Sequence, residues 1–208
     1  MSDSYQERRS DPAPAVILAS TSPYRRALIE RLGIPVRCRA PRCEEAAIRR
    51  EEEEAGTAPR LLAEKLALAK ARSLVAEEPG AAIIGCDQLV AFEGRVFGKP
   101  GTIERAVDQL AAMAGQTHEL ITAMVVIRGG ETFRHTDQTR LRMRPLPREA
   151  IERYVAADRP LDCAGSYILE SRGITLFDRI ESDDHTAITG LPLIALVSIL
   201  RELGFVIP

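Results

Sequence analysis

Apolar residues occur along this chain in short uninterrupted runs, and segments with helical spacing separate them. Val16-Ile17-Leu18-Ala19 has no polar member, which predicts a buried strand. Ser22 and Pro23 follow, a hydroxyl suited to an N-cap and a proline where a helix needs no backbone donor. Leu28 and Leu32 then fall on one helical face and Gly33 supplies the stop, so the opening unit is strand, tight loop, helix. A second helix is expected from near Thr57 and Pro59, with Leu62, Leu66, Ala69 and Leu74 as its apolar side. The charged stretch Arg49 to Glu54 before it reads as a solvated helix end or loop. Ala82-Ile83-Ile84 predicts another buried strand, ending at Gly85-Cys86-Asp87, and Thr102 opens a third helix through Ala106, Leu110 and Met113.

Glu119 to Ile127 predicts a long strand, and Gly129-Gly130 a turn. From Thr132 to Arg144 the alternation is strict: His135, Asp137, Thr139, Leu141 and Met143 share one side, while a row of arginines on the other is expected to be solvated. Pro147 starts a further helix, short strands are expected between Ser166 and Ile180, and Leu191 to Leu203 forms a closing helix before Gly204. Strands and helices interleave, so the expected class is α/β, with a mixed sheet flanked by helices.

Composition removes several function classes. At 208 residues the chain can bury a sizeable core, and 45% apolar with 28% charged residues is ordinary for a globular protein. A formal net charge of -2 argues against nucleic-acid binding, which calls for a basic surplus. Leu120 to Ile127 and Leu191 to Leu200 are too short to span a membrane. Met1 to Pro14 is polar, without the apolar middle of a signal peptide, and reads as a flexible tail before a single domain over residues 15–208. Cys38, Cys43, Cys86 and Cys163 lack the paired spacing of a zinc site, so reduced thiols in a cytoplasm are expected.

Two places carry candidate chemistry. Ala19 to Arg26 gathers the hydroxyls of Ser20 and Ser22, a helix N-terminus and the guanidinium groups of Arg25 and Arg26. Such a loop suits a polyphosphate, since the helix end is partly positive and arginine forks match phosphate oxygens. A capped helix with two surface arginines has the same sequence. Asp87, after a buried strand and a glycine, puts a carboxylate at a strand's end, where α/β proteins build sites; capping a turn is the plainer role for such a residue.

The run LASTSPYRRALIERLGI resembles the opening signature of Maf-type nucleotide pyrophosphatases. Further matches follow in order: Glu44-Glu45, LAKA ending at Ala71, IIGCDQ from Ile83, GKP from Gly98, GQTHELIT from Gly115, LDCAGSY from Leu161 and GLPLIAL from Gly190. The resemblance covers about Val16 to Gly204. It implies a Maf/ITPase-like α/β fold with a long mixed sheet and a central nucleotide-binding cleft, often homodimeric. It also implies hydrolysis between the α- and β-phosphates of a nucleoside triphosphate, with a divalent cation (Mg, Mn or Co). Asp87 becomes the proton acceptor or a metal ligand. Of the adjacent Glu44 and Glu45, only one can enter a cleft from extended chain, and Glu45 matches the metal ligand or base partner. Lys70 and Lys99 match phosphate-holding lysines, beside Ser20, Ser22, Arg25 and Arg26; Lys65 competes with Lys70 on spacing. His118 also matches a family position but is equally a neutral structural histidine, and Cys86 reads as a buried thiol rather than a nucleophile.

Within the family, Tyr24, Gln88 and Glu170, with Cys163 where another branch has lysine, resemble the branch acting on 7-methyl-GTP. Tyrosine stands at position 24 where that branch more often has tryptophan. A methylated guanine is positively charged, and stacking it on Tyr24 would gain about 0.5–2 kcal/mol. Glu170 could accept from the guanine N1 and amino donors, and Gln88 could meet a base edge. Alternatives are a dTTP/UTP or other modified-nucleotide pyrophosphatase, a general phosphatase, and a non-catalytic nucleotide-binding regulator of septum formation. All the enzyme readings require Asp87 to share one hollow with the arginines of the first helix.

Overall fold

The computed structural model describes residues 15–207, so the expected tail over Met1 to Pro14 lies outside the described residues. Strand β1 (Val16–Ala19) is buried at all four positions, as its unbroken apolar run requires, and its two faces feed two different cores. It pairs in parallel with β2 (Val36–Arg39) and with β3 (Ala82–Phe92). Strand β5 (Thr117–Arg128) runs antiparallel along β3, then β6 (Glu131–Met143) and β7 (Phe177–Glu181) follow antiparallel. The seven-stranded sheet has the order β2-β1-β3-β5-β6-β7, with β4 (Arg95–Phe97) attached to the far half of β3. It is the mixed sheet expected of the sequence.

Helix α3 (Pro59–Arg72) covers one face and buries Leu62, Ala63, Leu66 and Ala67 against Ile83, Leu89, Ile121 and Val125. A close approach makes this possible. A side chain at Gly85 would run into the Ala67 carbonyl oxygen and come within 2.6 Å of the Ala71 amide nitrogen, so only glycine lets the helix settle there. Helices α1 (Pro23–Glu30) and α7 (Leu193–Glu202) cover the opposite face, with Leu28, Ile29, Leu196 and Leu200 over Leu18, Ile84 and Met124. At the other end, α4 (Ile103–Met113) and α5 (Arg148–Asp158) enclose a third core around Leu110, Leu141, Tyr154 and Phe177.

Several expectations need correction. Strand β3 does not stop at Asp87; it runs eleven residues, because Leu89, Val90 and Phe92 are also buried. Its turn into β4 uses Glu93 and Gly94, both with positive φ (49° and 73°), the conformation of a two-residue hairpin turn. The charged stretch is a helix end, one of its two expected forms, but the helix, α2 (Glu45–Glu54), begins back at Glu45 and buries no residue fully. Between Ser166 and Ile180 there is one strand, β7, preceded by two 3-10 turns at Ala164–Ser166 and Arg172–Leu176. The alternation along β6 holds: Asp137, Thr139, Leu141 and Met143 are buried, while Arg140 and Arg142 are exposed.

Candidate active site

Strand β1 accompanies β3 as far as Ile84, and β4 accompanies it from Val90. From Gly85 to Leu89 only β5 lies alongside among the described residues. Where β1 ends, the chain turns through Ser20 to Ser22 into α1, so that helix N-terminus faces the gap. Above the gap opens a cleft of about 1140 Å³. Ser20, Ser22, Tyr24 and Arg25 line it from β1 and α1, Glu45 and Arg49 from α2, Lys70 from α3, and Asp87 and Gln88 from β3. Arg95, Lys99 and Arg105 form the β4–α4 wall, and Cys163, Tyr167 and Glu170 close the side beyond α1.

Every residue expected at a shared site lines this cleft except Arg26. Successive helical residues point about 100° apart, so two adjacent arginines cannot both face one hollow. Arg25 faces inward, its Nε donating to the Gly190 carbonyl at 2.8 Å. Arg26 is exposed and lines a separate shallow hollow with Glu30, Arg37 and Glu78, which corrects the expectation that both line one site.

The floor is a knot of charges. Lys70 Nζ donates to Asp87 Oδ1 at 2.7 Å and contacts Glu45 Oε2 at 2.8 Å. Lys70 and Asp87 are 6% and 4% exposed, whereas the Glu45 side chain is 45% exposed, so the ammonium joins a sealed carboxylate to an open one. Glu45 occupies the first turn of α2 rather than extended chain, and Glu44 before it is the exposed N-cap. Lys65 instead pairs with Glu52 at the surface. Among the described residues Asp87 Oδ2 is buried without a hydrogen-bond partner, and the Arg49 guanidinium stands 3.6 Å away. Such an oxygen costs about 1–3 kcal/mol unless something supplies it with a donor or a cation.

A divalent cation fits this donor set on one condition. Two carboxylates within two hydrogen-bond lengths of each other, one with a free buried oxygen, suit a hard oxygen-seeking ion. No group of three or more His, Cys, Asp or Glu residues arranged to hold a metal occurs among the described residues. Phosphate oxygens would therefore have to complete the coordination, the usual arrangement for magnesium.

Around α1, Ser22 Oγ accepts from the Arg25 amide at 3.4 Å, and Ser20 Oγ accepts from the Ser22 amide at 3.2 Å. The Tyr24 hydroxyl lies 3.9 Å from Cys163 Sγ. Burial first, then the nearby Cys163, Asp162 and Glu170, push the Tyr24 phenol up to about 12. Burial raises the Cys86 thiol as well, and its Sγ donates to the Gly190 carbonyl at 3.0 Å, so no thiolate nucleophile is available there. His118 is sealed against Tyr167 and Phe177, bonded to the Tyr167 hydroxyl at 3.1 Å, and burial lowers it to about 4. It is a neutral core histidine.

The Maf-like protein family model matches residues 15–203. The chain belongs to the Maf family. Maf relatives align with it nearly end to end. A 7-methyl-GTP pyrophosphatase of Bdellovibrio bacteriovorus is 51% identical over 92% of this chain and 98% of its own length. Proteins of the same description from Xanthomonas axonopodis and Aromatoleum aromaticum are 45% and 43% identical, covering 94% and 93% of this chain and 100% and 97% of their own. A solved nucleoside-triphosphatase of Mycobacterium abscessus, described as a dITP/XTP pyrophosphatase, overlays with a TM-score of 0.42 at 16% identity, over 91% of this chain and 97% of that one.

Arg49, Arg95 and Arg105 line the cleft without having been singled out from sequence. For Arg49 a signal existed. It stands four residues after Glu45, hence on the same face of a helix, once that helix is seen to begin at Glu45.

Proposed function

We propose that this protein is a nucleoside-triphosphate pyrophosphatase whose preferred substrate is 7-methyl-GTP, cleaved to 7-methyl-GMP and pyrophosphate. The observation that carries the proposal is the convergence of Asp87, Glu45, Lys70, Lys99 and the α1 N-terminus on one cleft, in a chain 51% identical to a relative of that description. Asp87 Oδ2, buried and without a donor, accepts a proton from the attacking water, while Lys70 holds Oδ1 and keeps the carboxylate oriented. Water adds across the anhydride between the α- and β-phosphates, its proton leaves to Asp87, and pyrophosphate departs. The α1 N-terminus, with Ser20, Ser22 and Arg25, binds one part of the phosphate chain, and Lys99 on the opposite wall binds the other. Glu45 and Asp87 would hold a divalent cation that, when bound, offsets the charge of the leaving pyrophosphate.

Tyr24 offers its neutral ring to a positively charged methylguanine, and Glu170 accepts from the donors on the base. The setting of this reading is the cytoplasm, where the four free thiols stay reduced. No helix among the described residues is long and apolar enough to cross a membrane.

The test is turnover of 7-methyl-GTP, GTP, UTP and dTTP by one preparation, with magnesium, manganese and cobalt in turn and after chelation. Pyrophosphate as first product, loss of turnover with chelator and preference for the methylated nucleotide are expected. Inorganic phosphate as first product overturns the reaction, and equal rates for GTP and 7-methyl-GTP overturn the specificity.

A further inference from the structure

The segment after β7 holds both sides of the cleft through its backbone. Its short helix α6 (His185–Ile188) and the turn to Leu193 present the carbonyls of Ala187, Ile188 and Gly190. Gln88 Nε2 donates to Ala187 O at 2.9 Å and Ile188 O at 3.0 Å, and Arg25 Nε donates to Gly190 O at 2.8 Å. One residue ties that segment into shape. Asp184, only 4% exposed, accepts from the Thr186 amide at 2.9 Å and the Thr186 hydroxyl at 2.6 Å on Oδ1, and from the Ile194 amide at 2.9 Å on Oδ2. Thr186 Oγ1 in turn accepts from the Leu193 amide at 2.8 Å. The carboxylate thus clamps the two ends of the segment, at Thr186 and at Ile194, with charge-assisted bonds.

Gln88 is fixed as a result. Its Nε2 faces two backbone carbonyls and the Thr122 hydroxyl at 2.9 Å, and that hydroxyl spends its own proton on Ala187 O. Carbonyls only accept, so a reversed amide would set its oxygen against two others, and one orientation survives. The remaining atom, Oε1, makes no hydrogen bond among the described residues, and Gln88, which is only partly buried, lines the cleft. Gln88 therefore meets a ligand as an acceptor and never as a donor.

We infer that Asp184 is a positioning residue for substrate recognition: it shapes the 184–194 segment so that its carbonyls lock the Gln88 amide with Oε1 outward, restricting the cleft to bases that offer an N–H donor there. The inference rests on the proposed nucleotide pyrophosphatase reading. A guanine meets the requirement with two adjacent donors, at N1 and the exocyclic amine, where uracil offers a single N–H at N3.

The experiment uses Asp184→Asn in the full chain, with Thr186→Val as a second variant should the first not fold. Replacing Oδ2 by an amide group would set a donor against the Ile194 amide, and the segment should shift. Two readouts are taken. In proton–nitrogen spectra without nucleotide, the Gln88 side-chain amide pair, assigned by its loss in Gln88→Glu, should be protected from exchange in wild type and exchange at least about tenfold faster in the variant. In turnover assays, kcat/KM for 7-methyl-GTP should fall by about 100-fold, as for sub-ångström to ångström misplacement, with a smaller fall for UTP, so the preference narrows. A variant that melts earlier yet keeps both the wild-type Gln88 exchange and the wild-type nucleotide preference overturns the inference. Wild type that turns over none of the nucleotides sinks the proposed function instead, and the exchange readout still decides the role of Asp184.

Discussion

Lys70 is the most informative residue to remove, because its two partners differ in burial. Lys70→Met takes away the only hydrogen bond to the Asp87 carboxylate among the described residues, a 4%-exposed group whose second oxygen already lacks a partner there. Arg49, at 3.6 Å and more exposed, is too distant to replace it with a hydrogen bond. Removing one partner of a buried pair costs about 3–5 kcal/mol, because the other charge stays behind uncompensated. Asp87→Asn should cost far less. Lys70 keeps Glu45 at 2.8 Å, the asparagine oxygen can still accept from Nζ, and only charge assistance is lost, about 1 kcal/mol. In the double variant the buried carboxylate beside position 70 is gone, so it should be more stable than Lys70→Met alone by about 2 kcal/mol. Urea unfolding at neutral pH measures all three, with m unchanged if the transitions stay two-state. For a chain of this size each kcal/mol corresponds to roughly 2–4 °C in Tm, so the ordering is readily resolved by melting as well. If Lys70→Met is no more costly than Asp87→Asn, or if the two effects simply add, Lys70 is not what compensates Asp87 and the charge knot is wrongly described.

Three further outcomes are expected. Gly85→Ala would drive a methyl into the backbone of α3 at Ala67 and Ala71, and should destabilise by about 3 kcal/mol or more in denaturant unfolding; near-neutral behaviour would mean that α3 can withdraw freely. His118, lowered to about 4 by burial, stays neutral in the fold while the unfolded chain protonates it below about 6.5, so stability should fall as pH drops from about 6.5 towards about 4, by at most roughly 1.4 kcal/mol per pH unit. His118→Phe should flatten that limb of the stability–pH curve, and an unchanged slope would assign the acid sensitivity elsewhere. Arg49→Met removes a cleft-lining cation 3.6 Å from the free Asp87 oxygen and should raise KM for the triphosphate on the order of tenfold; wild-type KM and kcat would remove Arg49 from the substrate's path.

Buried elements were legible because burial writes itself into residue choice. Val16–Ala19, the helix capped by Ser22 and the long β5 strand stand where the apolar pattern put them. Elements stabilised by position rather than by their own apolar content were not. Helix α2 buries no residue fully, and its run of glutamates reads as solvated chain from sequence alone. Strand β2 alternates Val36 and Cys38 with two arginines over only four residues, too short for a period to register. The extension of β3 past Asp87 carried a readable signal in Glu93-Gly94, a two-residue hairpin turn between apolar segments.

That extension changes the explanation of the cleft. Asp87 lies in mid-strand, and its accessibility to a ligand comes from the unequal lengths of its neighbours: β1 has four residues and β3 eleven. The polar segment Ser20 to Ser22 stops β1 and turns it into α1, while the hairpin brings β4 back only from Val90. The five-residue gap between them leaves that edge of β3 without a strand partner among the described residues, and the side chains along it alternate, so Asp87 meets Lys70 on the α3 face and Gln88 meets Thr122 and the Ala187 carbonyl on the other. In the proposed function, adjacent residues of one strand would thus serve the phosphate chemistry and the base. The hydroxyl-rich stop after β1 is therefore part of how the site is built: four more apolar residues there would extend β1 along the edge of β3, close the gap and remove the turn that brings the α1 N-terminus to the cleft.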